Sequence, residues 1–358
     1  MSAPDSSPPS PSDRPEGEDA RLDRLRRWLL TLPPDFRLAP ETLTPASSDA
    51  SFRRYFRLDA RLPGGQRTAI VMDAPPPQED CRPFVHAARI FGEAGLSVPS
   101  VHAADLAEGF LLLDDLGNDT YLKHLNAQTA PALYRDASLA LVKLQQASRA
   151  GVFPDYDRAM LLRELMLYPE WYVRHYKQVA LTDAEQQVLQ QGFERILDNV
   201  LAQPRGYVHR DYHSRNLMVL ADGTRTPGVL DFQDAVHGPL TYDLVSLLRD
   251  AYISWHEAEV LDWCIRHWER ARAAGLPVPA DFGDFYRDFE WMGLQRHLKV
   301  LGIFARLFYR DGKDAYLKDI PLVARYTHAV LVRYQELAPL RRLFERIEGV
   351  QPQHGYTF

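Results

Sequence analysis

His209-Arg210-Asp211-Tyr212-His213-Ser214-Arg215-Asn216 runs into Leu217-Met218-Val219-Leu220, then Ala221-Asp222-Gly223-Thr224, and Gly228-Val229-Leu230 leads into Asp231-Phe232. Asp-Gly between two short apolar runs is a strong hairpin signal. The midpoint of positions 216 and 231 falls on that turn, so the pattern predicts Asn216 and Asp231 at the two open ends of one hairpin. Cross-strand neighbours lie roughly 4.5–5.5 Å apart, close enough for two side-chain oxygens to share a cation. Asp211 sits on the loop entering the hairpin. A carboxylate and two hard oxygen ligands are thereby expected at one spot.

Phosphoryl transfer from ATP uses such a set. Mg²⁺ takes few protein oxygens and keeps phosphate and water ligands, while a carboxylate orients the attacking hydroxyl and accepts its proton. The spacing matches the catalytic-loop and metal-binding Asp signatures of kinases.

Working outward, the rest of the chain fits a two-part α+β protein. Residues up to Glu18 are rich in Ser, Pro and Asp and are expected to be a disordered tail. Leu22, Leu25, Leu29 and Leu32 recur at helical spacing from Asp19 onward, and Pro33-Pro34 ends the run. Strands are expected over Ser51–Leu58, Thr68–Met72 and Phe110–Leu113, with a helix over Arg82–Gly92. Beyond Gly117 long helices dominate, interrupted only by the Tyr207–Asp231 stretch. The predicted organisation is a tail (1–18), a nucleotide-binding lobe with a small antiparallel sheet (19–116) and a large helical catalytic lobe (117–358).

Bulk properties narrow the field. The 358 residues carry a formal net charge of −6, which argues against a nucleic-acid partner, since such binding needs a basic footprint. Only Cys81 and Cys264 are present, so a disulfide framework is not expected. No signal peptide or membrane-length apolar run is visible. The expectation is a cytoplasmic monomer acting on a small molecule.

The catalytic stretch resembles that of the aminoglycoside phosphotransferase and choline kinase superfamily, in which a second His follows the catalytic Asp by two positions, as His213 follows Asp211. That resemblance implies ATP and Mg²⁺ as cofactors, with Asp211 as base, Asn216 and Asp231 on Mg²⁺, and His213 buttressing the site. His209 is assigned a structural place. Gly238-Pro239-Leu240-Thr241-Tyr242-Asp243-Leu244 extends the likeness and implies that Asp243 braces the catalytic-loop backbone. Further stretches, Ser48 to Arg57, Val71 to Pro76, Leu230 to Ala235 and Tyr242 to Leu248, resemble the anomeric N-acetylmuramate/N-acetylglucosamine kinase branch. There the implied reaction is ATP plus amino sugar giving the sugar 1-phosphate. Kinases for an aminoglycoside, choline or homoserine hydroxyl, and a nucleotide-binding pseudokinase, are the alternatives.

The usual nucleotide-site pattern is broken in two places. The expected phosphate loop, Pro45-Ala46-Ser47-Ser48-Asp49-Ala50-Ser51, has no glycine, so Ser47, Ser48, Asp49 and Ser51 would offer backbone N–H and hydroxyl donors. Met72 stands where a Lys is usual, and Glu79 and Glu93 fall only at the edges of the following helix. Arg53 and Arg54 are the substitute cations, and strand alternation turns only one of them toward the loop side. Asp114, at a strand end, is also assigned to the ATP site. For the acceptor sugar the candidates are Asp234, His237, Trp171, Tyr172, Glu290, Trp291, Arg296 and His297. Aromatic faces would stack on the ring and an Arg would meet a lactyl carboxylate. Phe289, Trp291 and Leu294 at helical spacing read rather as core.

Overall fold

The computed structural model describes residues 16–48, 52–221, 223–224 and 226–350. Two compact units emerge: residues up to Arg89 with Pro99–Leu116, and Ile90–Val98 with the chain from Gly117 onward.

The first unit opens with α1 (Glu16–Thr31), so Glu16–Glu18 are helical where a tail was expected. The remainder of the expected tail lies outside the described residues. Leu25 and Leu29 of α1 are buried against a sheet whose inner face offers Leu58, Val71, Phe110 and Leu112. That sheet contains β1 (Ala39–Ser48), β2 (Arg54–Asp59), β3 (Thr68–Asp73), β4 (Val101–Asp105) and β5 (Phe110–Asp114), in the order β1-β2-β3-β5-β4, antiparallel throughout. Helix α2 (Arg82–Glu93) follows β3.

One sequence expectation fails here. Pro45–Ser48 is strand, with Ser47 opposite Tyr55 and Ser48 opposite Arg54, whereas a loop was expected from Pro45. Thr42 and Thr44 suit a strand, whereas Pro45 and the serines after it read as turn, and pairing with β2 carries the strand on to Ser48.

The second unit is mainly helical: α3 (Tyr121–His124), α4 (Ala130–Gln146), α5 (Arg158–Leu165), α6 (Asp183–Ala202), α7 (Tyr242–Leu248), α8 (Glu257–Ala273), α9 (Phe282–Tyr309), α10 (Ile320–Arg333) and α11 (Ala338–Glu348). A capping box on Thr182 and Glu185 starts α6, and the Asp281 carboxylate caps α9. A π-helical stretch, Tyr168–Tyr176, follows α5. The long α9 is buried over most of its length, and Phe289, Trp291 and Leu294 are core, as their spacing predicted. It packs so close to Leu167 that a Cβ at Gly302 would lie 2.4 Å from that residue's carbonyl carbon. Two small strand pairs interrupt the helices: β6 (Arg205–Val208) with β9 (Val236–Pro239), and β7 (Leu217–Met218) with β8 (Gly228–Val229). No helix among the described residues is long and apolar enough to cross a membrane.

Candidate active site

The pair β7–β8 is the predicted hairpin, offset by one residue. Leu217 faces Val229 and Met218 faces Gly228, so the residue opposite Asn216 is Leu230, whose N–H donates to the Asn216 carbonyl at 2.9 Å. Asp231 lies one position beyond that pairing, in the left-handed region at φ 64°. Its carboxylate nonetheless meets Asn216: Asn216 Nδ2 donates to Asp231 Oδ2 at 3.2 Å and to the Asp211 carbonyl at 3.0 Å. Both amide protons of Asn216 are therefore committed, which leaves its Oδ1 as the atom it can offer a cation. Gln233 Nε2 holds the other Asp231 oxygen at 2.8 Å.

The catalytic-loop backbone is fixed from beneath. Asp243, in the first turn of α7, accepts from the His209 N–H at 2.7 Å and the Arg210 N–H at 3.0 Å. Burial pushes its carboxyl up to about 7, against the pull of those two N–H donors. His209 is fully enclosed, with Nε2 at 2.9 Å from the Leu230 carbonyl and Nδ1 accepting the Asp211 N–H at 3.2 Å. Those partners select the neutral Nε2–H tautomer, and burial lowers the imidazole to about 4. Arg210, at φ 78°, is the second non-glycine residue of this region in left-handed backbone. Such conformations cost about 1–3 kcal/mol each and concentrate at functional sites.

Asp211 is ringed by cations. Burial opposes its charge, but the cations Lys299, Arg210 and Arg296, with the adjacent His213 ring, outweigh that and hold the carboxyl below its ordinary range. Two of these cations share one carboxylate. Glu164 of α5 receives Arg210 Nη2 at 2.5 Å and Lys299 Nζ at 3.0 Å, with Tyr156 and Gln295 also bonding to it. Lys299 also donates to the Tyr242 hydroxyl at 3.0 Å. Arg296 is 4% exposed, and its Nε and Nη1 have no hydrogen-bond partner among the described residues. His213 is half-buried, its Nδ1 without a partner among the described residues, its ring edge-on to Tyr252 at 5.4 Å; desolvation lowers its pKa. Glu164 and Lys299 were not picked out from sequence. The signal was there in Gln295, Arg296 and Lys299, polar side chains in an otherwise apolar stretch of α9.

Other predicted residues scatter. Asp234 is exposed, and its carbonyl accepts from Arg210 Nη1 at 3.4 Å. His237 sits in β9 with Nδ1 3.4 Å from Asp155. Trp171 stacks on His175, which adjoins Tyr309. Glu290 is taken by Arg333 and Tyr334, Tyr172 by Glu348, and His297 by the Arg249 carbonyl. Trp291 is buried in the core.

In the first unit, Arg54 is committed to Asp73, a fully buried carboxylate that also receives Arg21 Nε at 2.7 Å. Arg53 instead has its Nε 3.9 Å from Glu79. A cation–carboxylate pair thus exists here, away from the buried Met72. Asp114 bonds His102 at 2.7 Å and the Ser100 N–H at 2.9 Å. Ser47 and Ser48 end β1, and Asp49 and Ser51 lie outside the described residues.

The model of the phosphotransferase enzyme family matches residues 42–278. An N-acetylmuramate/N-acetylglucosamine kinase of Neisseria meningitidis is 50% identical over 345 residues, covering 94% of this chain and 99% of that one. The kinase of the same description from Pseudomonas putida is 48% identical over 338 residues, covering 92% and 98%. Among solved structures, the ADP-bound aminoglycoside phosphotransferase APH(2'')-Ib matches with a TM-score of 0.54 at 15% identity over 91% of this chain and 98% of that one, a likeness of fold. The chain is an ATP-dependent small-molecule kinase; it belongs to the phosphotransferase enzyme family, in the same branch as the N-acetylmuramate/N-acetylglucosamine kinases it matches.

Proposed function

We propose that the chain transfers the γ-phosphoryl group of ATP to the anomeric hydroxyl of N-acetylmuramate or N-acetylglucosamine. The observation that carries the chemistry is Asp211, a half-buried carboxylate held in its charged form by neighbouring cations beside the Asn216–Asp231 pair. Asp211 takes the proton of the sugar hydroxyl as its oxygen bonds to phosphorus, and the bond from the γ-phosphorus to the bridging oxygen breaks to release ADP. His209 and Asp243 hold the loop that presents Asp211, and His213 packs behind it. Asn216 Oδ1 and the Asp231 carboxylate are the ligand set for Mg²⁺, whose chemistry here would be to neutralise phosphate charge. Two protein oxygens are enough for an ion that keeps phosphate and water ligands. Arg53 is assigned to the phosphates and Arg296 to the lactyl carboxylate of the acceptor. The sugar class rests on the relatives at 48–50% identity. The reading includes a cytoplasmic monomer with no nucleic-acid or membrane partner.

The test is ATP turnover with N-acetylmuramate, N-acetylglucosamine, choline and kanamycin, together with phosphorus NMR of the product. Phosphate on C1 of the amino sugars is expected, with the 1-O-methyl glycosides inert. Phosphorylation of a 1-O-methyl glycoside, or turnover confined to choline or kanamycin, overturns the assignment.

A further inference from the structure

The second unit holds a cavity of about 770 Å³ among α4, α7 and α8, and none of the side chains lining it comes from the catalytic loop. Its floor is apolar. Leu244, Leu247 and Leu248 of α7 are buried, as are Tyr134 of α4 and Trp263 of α8, whose rings lie 4.7 Å apart. The Tyr134 hydroxyl is already taken by Trp255 Nε1 at 2.8 Å.

The charged rim is unbalanced. Arg135 is paired with Asp136 at 2.9 Å and Arg266 with Asp262 at 2.7 Å. Glu259 is occupied at the start of α8, accepting the His256 N–H at 3.1 Å. Arg270 has no carboxylate within ion-pair distance among the described residues. Its Nη1 donates instead to the Ser138 hydroxyl at 3.2 Å.

That hydroxyl is fixed in turn. Ser138 Oγ lies 2.9 Å from His267 Nδ1, and both residues are at least 97% enclosed, Ser138 being 3% and His267 1% exposed. A neutral His267 accepts the serine proton and leaves the hydroxyl lone pairs to Arg270. The imidazole is neutral because burial and the adjacent Arg270 lower it to about 3. Burial, then Arg266 and Arg135, also press Arg270 below the ordinary arginine value, as expected of guanidiniums that converge. A surface arginine with no task floats in solvent; this one is locked by a buried Ser–His pair at the edge of an apolar hollow. Held donors without an anion are what a binding site prepares in advance, because ordering costs are then not met on association. Guanidinium matches carboxylate and phosphate alike, and the hollow is in the size range of small-ligand pockets, about 300–1,000 Å³.

We propose that this cavity binds a small organic anion, a carboxylate or phosphate ester carried on a ring, with the ring over Trp263 and Tyr134 and the charge on Arg270. The experiment is calorimetry on the full chain with phenyl phosphate, benzoate, inorganic phosphate and neutral benzyl alcohol. Saturable binding of phenyl phosphate, benzoate or both is expected, with benzyl alcohol at least tenfold weaker; which anion binds tells a phosphate ester from a carboxylate. Arg270→Gln should weaken the bound anion at least tenfold while ATP turnover stays at the wild-type rate. Ser138→Ala, which frees the guanidinium without removing it, should give a smaller loss. Arg270→Lys keeps the charge but not the fork, and it serves if the Gln variant fails to fold; it too should bind more weakly. No saturable binding of either anion at millimolar concentration, an unchanged affinity in both Arg270 variants, or benzyl alcohol binding as tightly as the anions each overturns the proposal.

Discussion

Glu164→Gln is the most searching perturbation of the buried network around Asp211. Glu164 is 8% exposed and Lys299 7%, so neither can turn to water without local unfolding. The substitution keeps the shape but deletes the one anion that Arg210 and Lys299 share, at 2.5 and 3.0 Å. It also places an amide N–H₂ where Tyr156 or Gln295 now donates. Removing one partner of a buried ion pair costs about 3–5 kcal/mol, because the other charge is left uncompensated. The expected loss of unfolding free energy is in that range, read as a lower midpoint in urea at unchanged slope. The same reasoning makes Lys299→Met suppress part of the damage, since the double variant leaves a single cation, Arg210, without Glu164. A double-mutant cycle should therefore show coupling of about 2 kcal/mol or more. A loss below about 1 kcal/mol for Glu164→Gln, or strictly additive single losses, would refute the claim that these three side chains act as one coupled unit.

Asp211→Asn should leave nucleotide binding intact and reduce turnover by about 10²–10⁴-fold, measured by coupled ADP release. Asp231→Ala should abolish Mg²⁺-dependent nucleotide binding in calorimetry, with Asn216→Ala milder; unchanged affinity in Asp231→Ala removes the pair from the metal site. Arg53→Ala should raise the ATP KM about tenfold, worth about 1.4 kcal/mol, whereas Arg54→Ala, which strips a partner from Asp73, should lower the melting temperature and spare KM. Acid should destabilise the fold: His209 at about 4, and His267 and His297 at about 3, lie below the 6.5 of an unfolded imidazole, so the unfolded chain binds more protons between those values. Asp243, raised to about 7, opposes them by one proton, leaving a net uptake of about two protons on unfolding near pH 5, or about 3 kcal/mol lost per pH unit; unfolding titrations that show no stability loss from pH 6.5 to 4 would contradict this.

The legible parts of the sequence were those governed by local rules. Asp-Gly between apolar runs announced β7–β8, and the spacing of Asp211, Asn216 and Asp231 announced their convergence. The hairpin register came out one residue off because the turn sets the register and midpoint counting leaves the turn out; Asn216 pairs with Leu230, and Asp231 lies one position beyond in left-handed backbone. Periodicity read Phe289, Trp291 and Leu294 as core. Long-range choices were not legible. Nothing local says that Arg54 is spent on Asp73, nineteen positions away, or that Arg210 and Lys299 converge on Glu164 from different elements. The strand β1 was missed because Pro45 and the serines after it read as turn, and tertiary pairing with β2 overrode that composition.

The charge count around Asp211 links stability to the proposed chemistry. Arg210 and Lys299 bring two positive charges to the one negative charge of Glu164, and Arg296 adds a third, its Nε and Nη1 without a partner among the described residues. Ionised Asp211 offsets part of that surplus, which is why its carboxyl stays below the ordinary range despite burial. When Asp211 takes a proton from the acceptor hydroxyl, the offset vanishes and the pocket becomes more positive by one charge. That happens as the transferred phosphoryl group, itself anionic, reaches the acceptor oxygen. The surplus is then met by substrate charge in place of protein charge. In the proposed mechanism Asp211 therefore holds the cations in check before the reaction and frees their charge for the phosphoryl group during it. A neutral residue at 211 removes both the proton acceptor and that timing, whereas a neutral residue at 299 removes part of the surplus and leaves the proton acceptor in place.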